Sequence, residues 1–262
     1  MEILKEQEKY QMILFASGIK LNHFYGIEID DFACEIAKLA LWLAEHQMHI
    51  ESFKKFGQQQ AILPLQEAGN VVCGNAARVD WDTVCPINNM EEIYLLGNPP
   101  YKGFSQQTIE QKSDMKLVFK KPDKLDYIAI WFYKIKDYIF KKNIKASFVS
   151  TNSICQGEQT NLLWPEILKS IEMHFAYQSF EWKNNAKDKA AVICIIIGFR
   201  NKNNDDKYLF KGEYKKKVKN INPYLFEGET IFISKRKKSI SNFPIMQLGN
   251  MPYDGGYLHL SI

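Results

Sequence analysis

Residues 23–50 read HFYGIEIDDFACEIAKLALWLAEHQMHI. The opening HFYGIEI is short, aromatic and rich in β-branched residues, which suits a pleated, half-buried strand. Two aspartates end it. Beyond them apolar and small residues recur at helical spacing, with Ala33, Ile36, Ala37, Ala40, Leu41 and Ala44 on one stripe. Asp30 or Asp31 is placed to cap this helix, because a short carboxylate accepts from the unpaired N–H groups of a first turn. A strand that turns tightly into a helix is half of a βαβ unit, and its recurrence predicts a parallel sheet.

The alternation does recur. EILKEQEKYQMILFA (2–16) precedes this unit as a helix, and NVVCGNA (70–76) and EIYLLGNPPY (92–101) follow it as strands. Then come a helix at 124–140, a strand at 144–154 and a helix at 158–171 interrupted by Pro165. MHFAYQSFEW (173–182) and AAVICIIIGF (190–199) read as strands, the second apolar throughout and so buried on both faces. Only KNNAKDK joins these two, too short for a crossover helix, so they form an antiparallel hairpin. The expected fold is α/β, a mostly parallel doubly wound sheet with a C-terminal antiparallel hairpin. Residues 1–202 would form one domain, and 203–262 a basic connector.

Composition supports a globular chain: 262 residues, 46% hydrophobic and 24% charged. No run of 18 apolar residues and no secretory signal appears, so the expected location is cytoplasmic, without a membrane. The five cysteines are scattered without a CxxC pair or clustered histidines, and read as small core residues, neither disulfides nor metal ligands. Between Lys183 and Lys238, 15 Lys and Arg stand against 6 Asp and Glu, although the whole chain carries only +4. Tyr208, Phe210, Tyr214, Tyr224 and Phe226 interleave with these cations, a composition suited to phosphate and base contact.

In doubly wound sheets, ligands sit at the carboxyl ends of the strands. Three such ends carry polar residues here: Glu28 with Asp30, Gly74 with Asn75, and Asn98 with Tyr101. A carboxylate at Glu28 can accept from both hydroxyls of a ribose, with Ile29 beside it for an adenine face. Asn75 both donates and accepts, as an adenine edge requires. Asn98-Pro99-Pro100-Tyr101 suits attack by an exocyclic amine. If the Asn98 side-chain oxygen and the Pro99 carbonyl each accept one N–H, the nitrogen lone pair is drawn out of conjugation. The prolines keep that carbonyl fixed, and Tyr101 offers a face to a flipped base.

Taken in order, FYGIEIDDFACEIAKLALWLAEHQM, CGNAARVDW, GNPPY and FEWKNNAKDKAAVICIIIGF resemble successive motifs of the S-adenosylmethionine-dependent DNA adenine-N6 methyltransferases. The chain is most similar to the methyltransferase region of type IIG restriction-modification enzymes. FPIMQLGNMPYDGGYLHLS resembles the passage of those proteins into a target-recognition region. The resemblance implies a Rossmann-like class I methyltransferase sheet acting on double-stranded DNA. It implies S-adenosylmethionine held by Glu28, Ile29, Asn75 and Ala76, and catalysis by Asn98, Pro99, Pro100 and Tyr101. It also implies a second stacking contact from Phe180 or Trp182. Adenine over cytosine follows from Asn98, where many cytosine-N4 relatives carry serine. Nothing before His23 contains the glycine-rich donor loop of the family. The expectation is therefore a catalytic fragment, 1–202, lacking the first strand and further N- and C-terminal parts, that binds the donor weakly. RNA or protein-glutamine methylation, or an inert nucleic-acid-binding module, are the competing readings.

Overall fold

Strands and helices alternate through residue 170 in the computed structural model, which describes residues 19–56, 69–87, 92–122, 124–181 and 193–233. The elements are β1 (Tyr25–Glu28), α1 (Asp31–Phe56), β2 (Asn70–Cys73), α2 (Trp81–Val84), β3 (Ile93–Gly97), α3 (Ile109–Val118) and α4 (Ala129–Ile139). They continue with β4 (Ile144–Thr151), α5 (Gly157–Ser170), β5 (Ile171–Glu181), β6 (Ile193–Asn201), β7 (Lys207–Lys211) and β8 (Tyr214–Val218). The expected helix at 2–16, Trp182 and the tail around Tyr253 lie outside the described residues.

β1 and β2 form a parallel pair, and the other strands form a six-stranded sheet in the order β3-β4-β6-β5-β7-β8. The pairs β3–β4 and β5–β7 are also parallel, whereas β4–β6, β5–β6 and β7–β8 are antiparallel. This is the mixed α/β class read from the alternation, with the hairpin where the short connection demanded it. β6 is the central strand: its apolar run is flanked by β4 and β5, and Cys194, Ile195, Ile197 and Phe199 are at most 1% exposed. Pairing continues past residue 202, because β7 adds to β5 in parallel and β8 closes the edge as a hairpin.

The core lies between this sheet and α4 and α5. Phe132 on α4 is fully buried, with ring centroids 5.4 Å from Phe148, 5.6 Å from Trp164 and 5.7 Å from Phe199. α5 runs unbroken through Pro165, contrary to the expected interruption. Leu163, Trp164 and Ile167 bury the face on both sides of the proline, which offsets the lost backbone bond. The stripe on α1 is also rotated from the expected one. Cys34 is buried and Ala37 and Leu41 half-buried, whereas Ile36, Ala40 and Ala44 are exposed. Alanine on both faces leaves the helix little amphipathic bias, so the packing partner decides which stripe turns inward. The cysteines are all free, but Cys73 is exposed and Cys85 half-buried, so only three of the five serve the core.

Candidate active site

Each of the three polar strand ends lies where its strand stops. Asp30 caps α1, its Oδ1 accepting from the Ala33 N–H at 2.8 Å. Glu28 is thereby left for another role, and its Oε1 accepts from the Ile29 N–H at 2.8 Å and the Asp30 N–H at 3.3 Å. These bonds hold one carboxylate oxygen against the turn and leave Oε2 without a partner among the described residues. Ile29 beside it is 69% exposed, an apolar surface at a strand end. β2 ends next to β1, with Glu28 opposite Cys73 in the parallel register and the Gly74 N–H donating to the Glu28 carbonyl at 2.7 Å.

The loop after β2 is clamped from below. Asn75 Oδ1 accepts from the Ala77 N–H at 2.9 Å, and its Nδ2 donates to Asp114 at 2.9 Å. Asp114, on α3, also accepts from Arg78 Nε and from the Tyr127 hydroxyl, each at 2.6 Å. Burial works against its charge, but the Tyr127, Arg78 and Asn75 donors outweigh it and hold the carboxyl below the usual range. Burial and the same carboxylate push the Tyr127 phenol up, so the shared proton stays on the tyrosine. Ala76 takes part through its carbonyl, which accepts from the Trp81 indole and, at 2.9 Å, from Lys134 Nζ on α4. Lys134 also donates to the carbonyls of Ala77 and Val79, and burial lowers its pKa.

β3 ends at Gly97, after which Asn98 is exposed, Pro99 buried, Pro100 exposed and Tyr101 half-buried. The Tyr101 hydroxyl donates to Asn98 Oδ1 at 2.6 Å. Burial, then the Cys194 thiol, push Tyr101 up to about 12, so at neutral pH it keeps that proton. The bond orients the amide and leaves Oδ1 one lone pair. Cys194 lies 4.0 Å from the Tyr101 oxygen and pairs across the sheet with Phe180, which places Phe180 on the face of the sheet shared with the Cys194 and Tyr101 contact. Trp182, the alternative stacking residue, lies outside the described residues.

Asp126 and Tyr127 brace the chain beyond this turn. The Tyr127 N–H donates to the Lys102 carbonyl at 2.9 Å, and Asp126 accepts from the Phe104 N–H, Ser153 and Gln159. Sequence reading passed over Asp114, Lys134, Asp126 and Tyr127. A capping signal, Thr108 with Gln111, does mark the start of α3, and both halves of that capping box form. Among the described residues no cluster of His, Cys, Asp and Glu could hold a metal ion, and no helix is long and apolar enough to cross a membrane.

Comparison with known proteins shows the family. Residues 1–211 match the family model of the MmeI DNA-methyltransferase domain. The chain belongs to that family. It is 48% identical over 266 residues to DNA methyltransferase A of Bacillus subtilis (strain 168), an alignment covering 99% of this chain and 30% of that protein. The type IIL restriction-modification enzyme MmeI, solved in complex with DNA, superposes with a TM-score of 0.84 at 42% identity, over 91% of this chain and 33% of that one. The chain thus spans about a third of the length of these relatives. What the family match covers is a DNA-methyltransferase domain.

Proposed function

We propose that this domain transfers a methyl group from S-adenosylmethionine to the N6 amine of an adenine flipped out of double-stranded DNA, within a restriction-modification protein. The observation that carries the reading is the Asn98-Pro99-Pro100-Tyr101 turn at the carboxyl end of β3, with the Asn98 amide oriented by the Tyr101 hydroxyl at 2.6 Å. The family supports DNA as substrate, as does the basic segment from Lys183 to Lys238, in which Lys211, Tyr214 and Lys215 are exposed.

The residues present fit the donor. The free oxygen of Glu28 suits a ribose hydroxyl, exposed Ile29 suits an adenine face, and Asn75 in its clamped loop suits the adenine edge, with Ala76 shaping the loop through its carbonyl. S-adenosylmethionine, when bound, supplies an electrophilic methyl group on a sulfonium. The chain's own residues prepare the acceptor. Asn98 Oδ1, through its remaining lone pair, and the Pro99 carbonyl each accept one N–H of the target amine, which localises the nitrogen lone pair for attack. Tyr101 offers a ring face to the flipped base, and Phe180, which pairs with Cys194 beside it, or Trp182 supplies the second stacking contact. Asn98 is exposed, so the proton lost after N–C bond formation passes to water.

Asn98→Ala in the complete protein tests this. Transfer of labelled methyl groups to DNA should fall by roughly a hundredfold or more, with DNA affinity retained and the wild-type product identified as N6-methyladenine by nucleoside analysis. Undiminished transfer by the variant, or a wild-type product on cytosine or RNA, would overturn the reading.

A further inference from the structure

Asp114 is 2% exposed, and its three hydrogen-bond partners come from two other stretches of chain: Asn75 and Arg78 after β2, and Tyr127 before α4. A buried carboxylate with one guanidinium partner could serve stability alone. Two features go beyond that. The first concerns the Asn75 amide, whose ends are sorted chemically: the acceptor-only carboxylate can meet only its NH2 group, and the Ala77 N–H only its oxygen. One Oδ1 lone pair then remains, in a fixed orientation, as an acceptor that the exocyclic amine on an adenine edge matches. The second concerns Tyr127, which donates its hydroxyl to Asp114 at 2.6 Å and its backbone N–H to the Lys102 carbonyl at 2.9 Å, one residue beyond Tyr101. A single strut therefore joins the loop after β2 to the turn after β3.

We propose that Asp114 is a positioning residue for methyl transfer. It orients the Asn75 amide toward the adenine of the donor and, through Tyr127, holds the loop after β2 at a set distance from Asn98 and Tyr101. Transfer between two bound groups depends steeply on their separation, so a strut between the two loops bears directly on rate. The inference rests on the proposed reading of Asn75 as a donor contact.

The complete protein, its Asp114→Asn variant and its Tyr127→Phe variant should be titrated calorimetrically with S-adenosylmethionine, assayed for transfer and measured for DNA affinity. Asp114→Asn keeps the shape but removes the charge that accepts three bonds. The donor dissociation constant and KM should rise about tenfold, as loss of a charged hydrogen bond implies, with DNA affinity unchanged. Tyr127→Phe keeps the Lys102 bond and loses only the hydroxyl, and should show a smaller rise in the same constants with a lower kcat. Folded Asp114→Asn protein with wild-type donor affinity would overturn the proposal. Should that variant fail to fold, unaltered donor constants and kcat in Tyr127→Phe would do so instead. Failure of the wild-type protein to bind S-adenosylmethionine would overturn the functional reading and this role with it, whereas normal wild-type binding with unaffected variants overturns this role alone.

Discussion

At the scale of single residues, environment rather than identity sets behaviour. His174 on β5 shows this outside the site. Burial, then the Arg200 and Lys145 charges, bring its pKa down to about 4, with Glu172 opposing. The unfolded chain takes up that proton near pH 6.5, so between pH 6.5 and about 4 it binds more protons than the native state does. The contribution to stability is complete above pH 6.5 and is lost as pH falls toward 4. Thermal unfolding across this window should show the midpoint dropping, and His174→Gln should remove that part of the slope. An identical slope in the variant would refute the assignment. The chemistry proposed for Asn98 and Tyr101 was readable from residue types alone, because both stand where the strand stops. Asp114 was not, since a lone aspartate inside IEQKSDMKLV looks like any solvated helix residue until its partners 36 to 39 positions upstream are brought beneath it.

At the scale of elements, close approach decides what a strand can carry. Gly198 in β6 faces the Phe175 ring of β5, and a Cβ added there would lie 2.1 Å from Phe175 Cε1. Gly198→Ala should therefore force the ring aside and destabilise the protein by about 1–3 kcal/mol, read as a lower urea midpoint with an unchanged slope. An alanine variant as stable as wild type would show that the ring moves at no cost. The periodicity of AAVICIIIGF announced a buried strand but gave no sign of this contact. α5 makes the converse point. Pro165 alone argues for a break, yet the helix continues because its buried face outweighs one lost bond.

At the scale of the molecule, core and site are one construction. α4 packs Phe132 into the aromatic cluster and also extends Lys134 to three carbonyls of the loop after β2, while Tyr127 just before it reaches Asp114 and Lys102. Phe132→Ala should cost about 3–5 kcal/mol by leaving a cavity among three rings. It should also weaken S-adenosylmethionine binding at temperatures where the protein is still folded; calorimetry beside thermal melts checks both, and unaltered donor affinity would show that core and loop are independent. Local pattern by itself determined the α/β alternation, the hairpin, a cap at Asp30 or Asp31 and the polar strand ends, because period, capping chemistry and connection length act over a few residues. Only the tertiary structure decided which face of α1 turns inward, that Asn75 leans on Asp114, and that Phe180 shares a face with Tyr101. Those outcomes depend on burial and on donors and acceptors from distant stretches of chain, whose pairing exists only once the sheet and helices have come together.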